Sequence, residues 1–244
     1  MCGLVAAVIN SATTHDINIV RRLMEESSVR GLHATGISWC SDEKVNTEIQ
    51  PVPFNKFNFA WERLVDNGSI AMVGHCRYST SDLEYNQPIS DEQVSIVHNG
   101  VISQDAYYTW HQKYGIDVGT NKNDSALIWN LEKALTNGAK KHPLEHFPDS
   151  SMAVCKLTSS GGVSFYRNGK RPLHYYHNDR MTLVASTKDI FKRSVWGLDP
   201  NDVDPGVVYK TRVEAQSNEF IQLSQRQIVI GIEDLQDDGI ETDY

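Results

Sequence analysis

Cysteine is scarce in this 244-residue chain: four residues, at positions 2, 40, 76 and 155, with no CxxC pair. That spacing excludes a disulfide framework and reads as free thiols in a reducing compartment. Long apolar runs are also missing. The longest early stretch, Cys2 to Ile9, is too short to span a bilayer, and no basic segment precedes it. Neither a membrane span nor a secretory leader is therefore expected. The chain has no glycine-rich phosphate loop, no internal repeat and no Gly/Ser/Pro linker. Excess charge is confined to one end. Of 31 acids against 23 bases, six (Glu233, Asp234, Asp237, Asp238, Glu241 and Asp243) lie in the last twelve residues, which hold no base. The body up to Ile232 is nearly neutral, which gives no electrostatic reason to expect nucleic acid or an anionic membrane as a partner. What remains is an ordinary globular composition, expected to be cytoplasmic.

Short apolar runs recur at Leu4–Ile9, Ile70–Val73, Val94–Val97, Met152–Leu157 and Met181–Ala185. Their length and β-branched content predict strands, and apolar residues at consecutive positions predict burial on both faces. Helical patterns alternate with them. Ile17, Val20, Leu23 and Met24 share a face after Thr14 or Asp16. A second helix is expected from Phe59 to Asn67, ended by Gly68, and a third from about Ser103 to Tyr114, stopped by Gly115. Leu127, Leu131, Ala134 and Leu135 predict a fourth, capped by Asp124 or Asn123 and ended near Gly138. Asn168-Gly169 reads as a tight turn joining strands Val163–Arg167 and Leu173–His177. Together these predict one α+β domain over residues 2–230, followed by an acidic tail, 231–244.

Four places could carry chemistry. Cys2 follows the initiator, and a small second residue favours removal of Met1. The exposed α-amine, with a pKa near ~7.7–8.0, would then sit beside a thiol near ~8.5, so one residue supplies nucleophile and base. Gly74-His75-Cys76-Arg77-Tyr78-Ser79-Thr80 ends a strand with a guanidinium and hydroxyls suited to gripping a carboxylate. In His98-Asn99-Gly100, the Asn amide and the Gly N–H could face one oxygen, as an oxyanion hole requires. Asp124 could meet an ammonium group. Taken singly, each has a plain structural counterpart: a buried small Cys, a surface ion pair, an Asn-Gly turn and a helix cap. His142 and His146 are four residues apart, but Pro143 and the lack of an HExxH pattern argue against zinc. No metal or cofactor is expected.

Taken together and in order, these segments resemble the class II glutamine amidotransferase domain, the N-terminal-nucleophile family with an N-terminal Cys. Cys2-Gly3, Arg30-Gly31 through Gly36-Ile37, the segment from Gly74 to Thr80, Asn86-x-Pro88, His98-Asn99-Gly100 and Asp124 carry the likeness. Ser151-Met152-Ala153, Arg171-Pro172-Leu173, Ala185-Ser186 and Pro205-Gly206 continue it over roughly residues 2–215. The resemblance implies an αββα sandwich and hydrolysis of the glutamine side-chain amide through a Cys2 thioester. It also implies that Asn99 and Gly100 form the oxyanion hole, and that Arg77 clamps the α-carboxylate, with Thr80 nearby in the substrate-binding set, while Asp124 holds the α-ammonium. Larger relatives fuse this domain to a synthetase that consumes the ammonia. A separate synthetase-like acceptor protein is therefore expected here, the alternatives being a free-standing amidohydrolase or an inactive binding relative. Two departures stand out: His33 occupies a position where most relatives carry an acid, and Ser81 follows Thr80.

Overall fold

The computed structural model describes residues 1–79, 84–213 and 224–227, so Thr80, Ser81 and the acidic tail lie outside the described residues. Two antiparallel sheets stack face to face. The first runs in the order β12 (Asn201–Asp202), β10 (His174–His177), β11 (Met181–Ala185), β1 (Gly3–Ile9), β5 (Ser69–Arg77), β2 (Ala34–Ser41), β3 (Lys44–Gln50), with β4 (Val65–Asp66) also paired to β5. The second runs β14 (Ser224–Gln227), β13 (Val207–Arg212), β9 (Gly162–Arg167), β8 (Ser151–Thr158), β7 (Val94–Val101), β6 (Ile89–Ser90). Helices α1 (Thr14–Ser27) and α5 (Lys188–Ser194) cover the first sheet; α3 (Ser125–Thr136) and the short α4 (Pro143–His146) cover the second.

The apolar runs explain this layering. In β1, Val5, Ala7 and Ile9 pack against Val20, Leu23 and Met24 of α1, while Leu4, Ala6 and Val8 pack between the sheets with Val97, Ala153 and Cys155. Both faces of the strand are thus buried, as consecutive apolar residues require. A third apolar layer, including Ile96, Leu127, Ile128 and Tyr166, joins the second sheet to α3. The result is an αββα sandwich. Among the described residues, no helix is long and apolar enough to cross a membrane.

Four local expectations need correction. No helix spans Phe59 to Asn67. Phe59 and Trp61 pack edge to face against each other, with Trp39 on Phe59, and a single 3-10 turn, Trp61–Leu64, leads into β4. Asn67 and Gly68, at φ 48° and 74°, are the two turn residues of a β4–β5 hairpin, not a helix stop. The third helix shrinks to α2 (Trp110–Tyr114), because the Ser103 N–H is held by Asp124 and the chain turns instead at Ser103–Asp105. The strands flanking Asn168-Gly169 do not pair: β9 belongs to the second sheet and β10 to the first, so the chain crosses between layers there. Gly169 does not take the left-handed conformation of a tight hairpin. Finally, α1 begins at Thr14, with Thr13 as its cap in a box closed by Asp16.

Candidate active site

The start of β1 and the ends of β5 and β7 meet at one edge of the sandwich. Cys2 sits one step beyond the Gly3–Cys76 pair of the β1–β5 ladder. Its nitrogen donates to Asn99 Oδ1 at 3.2 Å, and its carbonyl accepts from Arg30 Nε at 3.0 Å. The thiol lies 3.8 Å from the Tyr78 carbonyl. Burial pushes the thiol pKa up, and the Tyr78 backbone, the chain's amino terminus, Arg77 and Arg30 pull against that rise.

Asn99 stands between the sheets at 3% exposure. With Oδ1 engaged by Cys2, its Nδ2 is buried without a hydrogen-bond partner among the described residues. A buried amide left with two unused donors is costly unless something polar arrives to accept them. The next residue, Gly100, has φ 152°, and a side chain there would run into the Ser151 carbonyl. Only glycine therefore fits at this position.

Arg77, at 9% exposure, donates through Nη1 to the Tyr85 carbonyl (2.8 Å) and Asn86 Oδ1 (2.7 Å), which fixes the plane of its guanidinium. Asp124 does not cap α3. Its Oδ2 accepts from the Ile102 and Ser103 N–H groups, at 2.6 and 3.3 Å, and Asn123 Oδ1 accepts from Ser125 N instead. Cys2, Arg77, Gly100 and Asp124 line one cleft of about 360 Å³. Asn99 is joined to it through Cys2, and Thr80 lies outside the described residues.

Four further residues, His98, Gln87, Ser125 and Asn123, shape this site without a role in it having been read from the sequence. His98 Nε2 lies 3.3 Å from the Ser151 carbonyl, which can only accept, so Nε2 carries the proton. Nδ1 then accepts from Ser125 Oγ at 2.8 Å, Ser125 Oγ accepts from Gln87 Nε2 at 3.0 Å, and Gln87 Oε1 accepts from the His98 N–H at 2.6 Å. The ring closes on itself and ties β7 to the first turn of α3. Burial lowers the His98 pKa, which keeps this tautomer neutral. Asn123 extends the tie to the Arg77 side, because its Nδ2 donates to the same Tyr85 carbonyl at 3.0 Å. His98 could have been noticed as the motif residue whose alternation turns it toward α3; Gln87 and Ser125 left no such signal.

The layer order is that of an αββα sandwich, with this cleft at one edge of its two sheets. Two solved structures share this fold. One is glutamine phosphoribosylpyrophosphate (PRPP) amidotransferase from B. subtilis, complexed with ADP and GMP, with a TM-score of 0.69 and 17% identity over 93% of this chain and 49% of that one. The other is described as the allosteric regulatory enzyme of purine biosynthesis, with a TM-score of 0.68 at 17% identity and the same coverage. This chain spans about half the length of either. No protein-family model and no curated sequence matches it.

Proposed function

We propose that this protein hydrolyses the side-chain amide of glutamine, with Cys2 as nucleophile. One observation carries the reading: the Cys2 nitrogen donates to Asn99 Oδ1 while Asn99 Nδ2 is buried without a partner among the described residues, and Cys2 lines one cleft with Arg77 and Asp124. Removal of Met1 turns the Cys2 nitrogen into an α-amine, which takes the thiol proton. The thiolate attacks the amide carbon, and Asn99 Nδ2 and the Gly100 N–H receive the developing oxyanion. The amine returns its proton to the departing nitrogen, and ammonia leaves. Water, deprotonated by the same amine, then cleaves the γ-glutamyl thioester to glutamate and restores the thiol. Arg77 holds the α-carboxylate, and Asp124 holds the α-ammonium.

The likeness to a PRPP amidotransferase supports a further step, transfer of the ammonia to an acceptor. Tyr78, Val101 and Tyr107 are large apolar side chains exposed around the cleft mouth, where an acceptor would dock and exclude water. A glutaminase assay on native protein with a verified N-terminus tests the reading, with Cys2→Ala as the control. Cys2→Ala should fall to background while Cys40, Cys76 and Cys155, all buried, stay inert to an electrophilic glutamine analogue. Undiminished turnover in Cys2→Ala would end the reading.

A further inference from the structure

His33 lies outside the cleft lining, yet it grips the turn that touches the nucleophile. Its N–H donates to the Arg77 carbonyl at 3.0 Å, and its ring Nδ1 accepts from the Ser79 N–H at 2.8 Å. The ring also lies against Tyr78, with centroids 5.1 Å apart and planes at 31°. Arg77, Tyr78 and Ser79 are thereby held from one side by a single residue. Tyr78, in the middle, presents its backbone to Cys2 Sγ, while Arg30, three residues before His33, holds the Cys2 carbonyl. We infer that His33 is a positioning residue for Cys2, acting through its Nδ1 acceptor on the Ser79 amide. This inference rests on Cys2 as the reactive group.

The acceptor, not the ring, is what the arrangement uses. An Nδ1 that accepts means that Nε2 carries the proton. Without the acceptor, the Ser79 amide turns to solvent and the Tyr78 backbone is freer to move away from the thiol. That backbone is the first of the contacts that pull the thiol pKa down against burial.

Two variants separate acceptor from ring. His33→Phe keeps an aromatic face for Tyr78 and removes the acceptor; His33→Asn keeps an acceptor at nearly the same place and removes the ring. His33 is exposed, so both variants are expected to fold. The primary readout is the rate of Cys2 alkylation by iodoacetamide across pH, read by peptide mass, with the buried Cys40, Cys76 and Cys155 as internal controls. Alkylation in His33→Phe should slow by about tenfold at neutral pH, with its midpoint moved upward, the size expected for one hydrogen bond. His33→Asn should stay within about threefold of the native protein. For glutamine hydrolysis, the same pattern should appear in kcat with KM little changed. Native alkylation in His33→Phe overturns the inference, as does an equal loss in both variants, which would assign the effect to ring packing. If glutamine is not hydrolysed at all, the proposed reaction fails, and the alkylation rates still decide the role of His33.

Discussion

The two helical layers of the sandwich begin in opposite ways. Helix α1 starts on its own resources: Thr13 and Asp16 close a capping box, with the Thr13 N–H on Asp16 Oδ2 at 2.8 Å, and Arg180 grips the same carboxylate at 2.7 and 2.8 Å. This happens at the end of β1 away from Cys2, over an apolar layer that includes Val20, Leu23 and Met24. Helix α3 starts on borrowed groups. Asp124, the residue a local rule would make its cap, reaches instead to Ile102 and Ser103, and Ser125 is shared between His98 and Gln87. One helix start stabilises the fold and the other shapes the cleft. A strong local rule fails where the side chain has been taken for the site, which is where such failures are expected.

Substitutions can break that division, and the largest effect should come from the cleft. Asn99→Ala removes the buried Nδ2 donor, so kcat for glutamine should fall by about 10²–10³ with little change in KM. A rise in KM alone would remove Asn99 from the oxyanion role. Asp124→Asn keeps an oxygen for the Ile102 and Ser103 amides and removes the charge. Thermal stability should therefore hardly move, while KM rises by tens of fold, the size of one charged hydrogen bond of about 1.5–3 kcal/mol. Loss of stability without a KM change would reassign Asp124 to the fold.

Much of this division was legible in the sequence, but unevenly. Runs such as Leu4–Ile9 and Met181–Ala185 announced strands buried on two faces, because each face meets a different apolar layer. Pairing was harder to read. Asn67-Gly68 and Asn168-Gly169 are the same dipeptide, yet the first makes a hairpin and the second leads the chain across to the other sheet, and only the strands' neighbours decide which. Among site residues, Cys2, Arg77, Gly100 and Asp124 were marked by motif and do line one cleft. Tyr78 was not marked, since it acts through its backbone, and backbone groups are common to every residue. Gln87 and Ser125 were missed because their partners are 11 and 27 residues from them, in contacts with no local spacing rule.

Ser125→Ala tests whether the ring that starts α3 belongs to both jobs. It strips a partner from His98 Nδ1 and from Gln87 Nε2, both within the protein interior. Stability should drop by about 1–3 kcal/mol, the cost of leaving buried polar groups unpaired. Because Asp124 is the adjacent residue, KM should also rise, though less than in Asp124→Asn. A stability loss with an unmoved KM would confine the ring to the fold.

The smallest effect on catalysis, none, is expected at the other helix. Asp16 is fully buried. Burial alone would raise its pKa, but hydrogen bonds from Arg180 and Thr13 hold it down to about 2. In the unfolded chain an aspartate titrates near ~3.9. The folded form therefore binds its proton more weakly, and the carboxylate's contribution is complete above about pH 4 and lost as the pH falls through about 2. Asp16→Asn should lower stability at neutral pH by about 1–2 kcal/mol, a figure moderated by the exposure of Arg180. The gap between the two proteins in urea titrations should narrow below about pH 4 and vanish below about pH 2, with glutamine turnover at neutral pH unchanged. A gap that persists undiminished in acid would mean that Asp16 acts through shape and not charge. A fall in kcat would mean that the two helix starts are coupled through α1 after all.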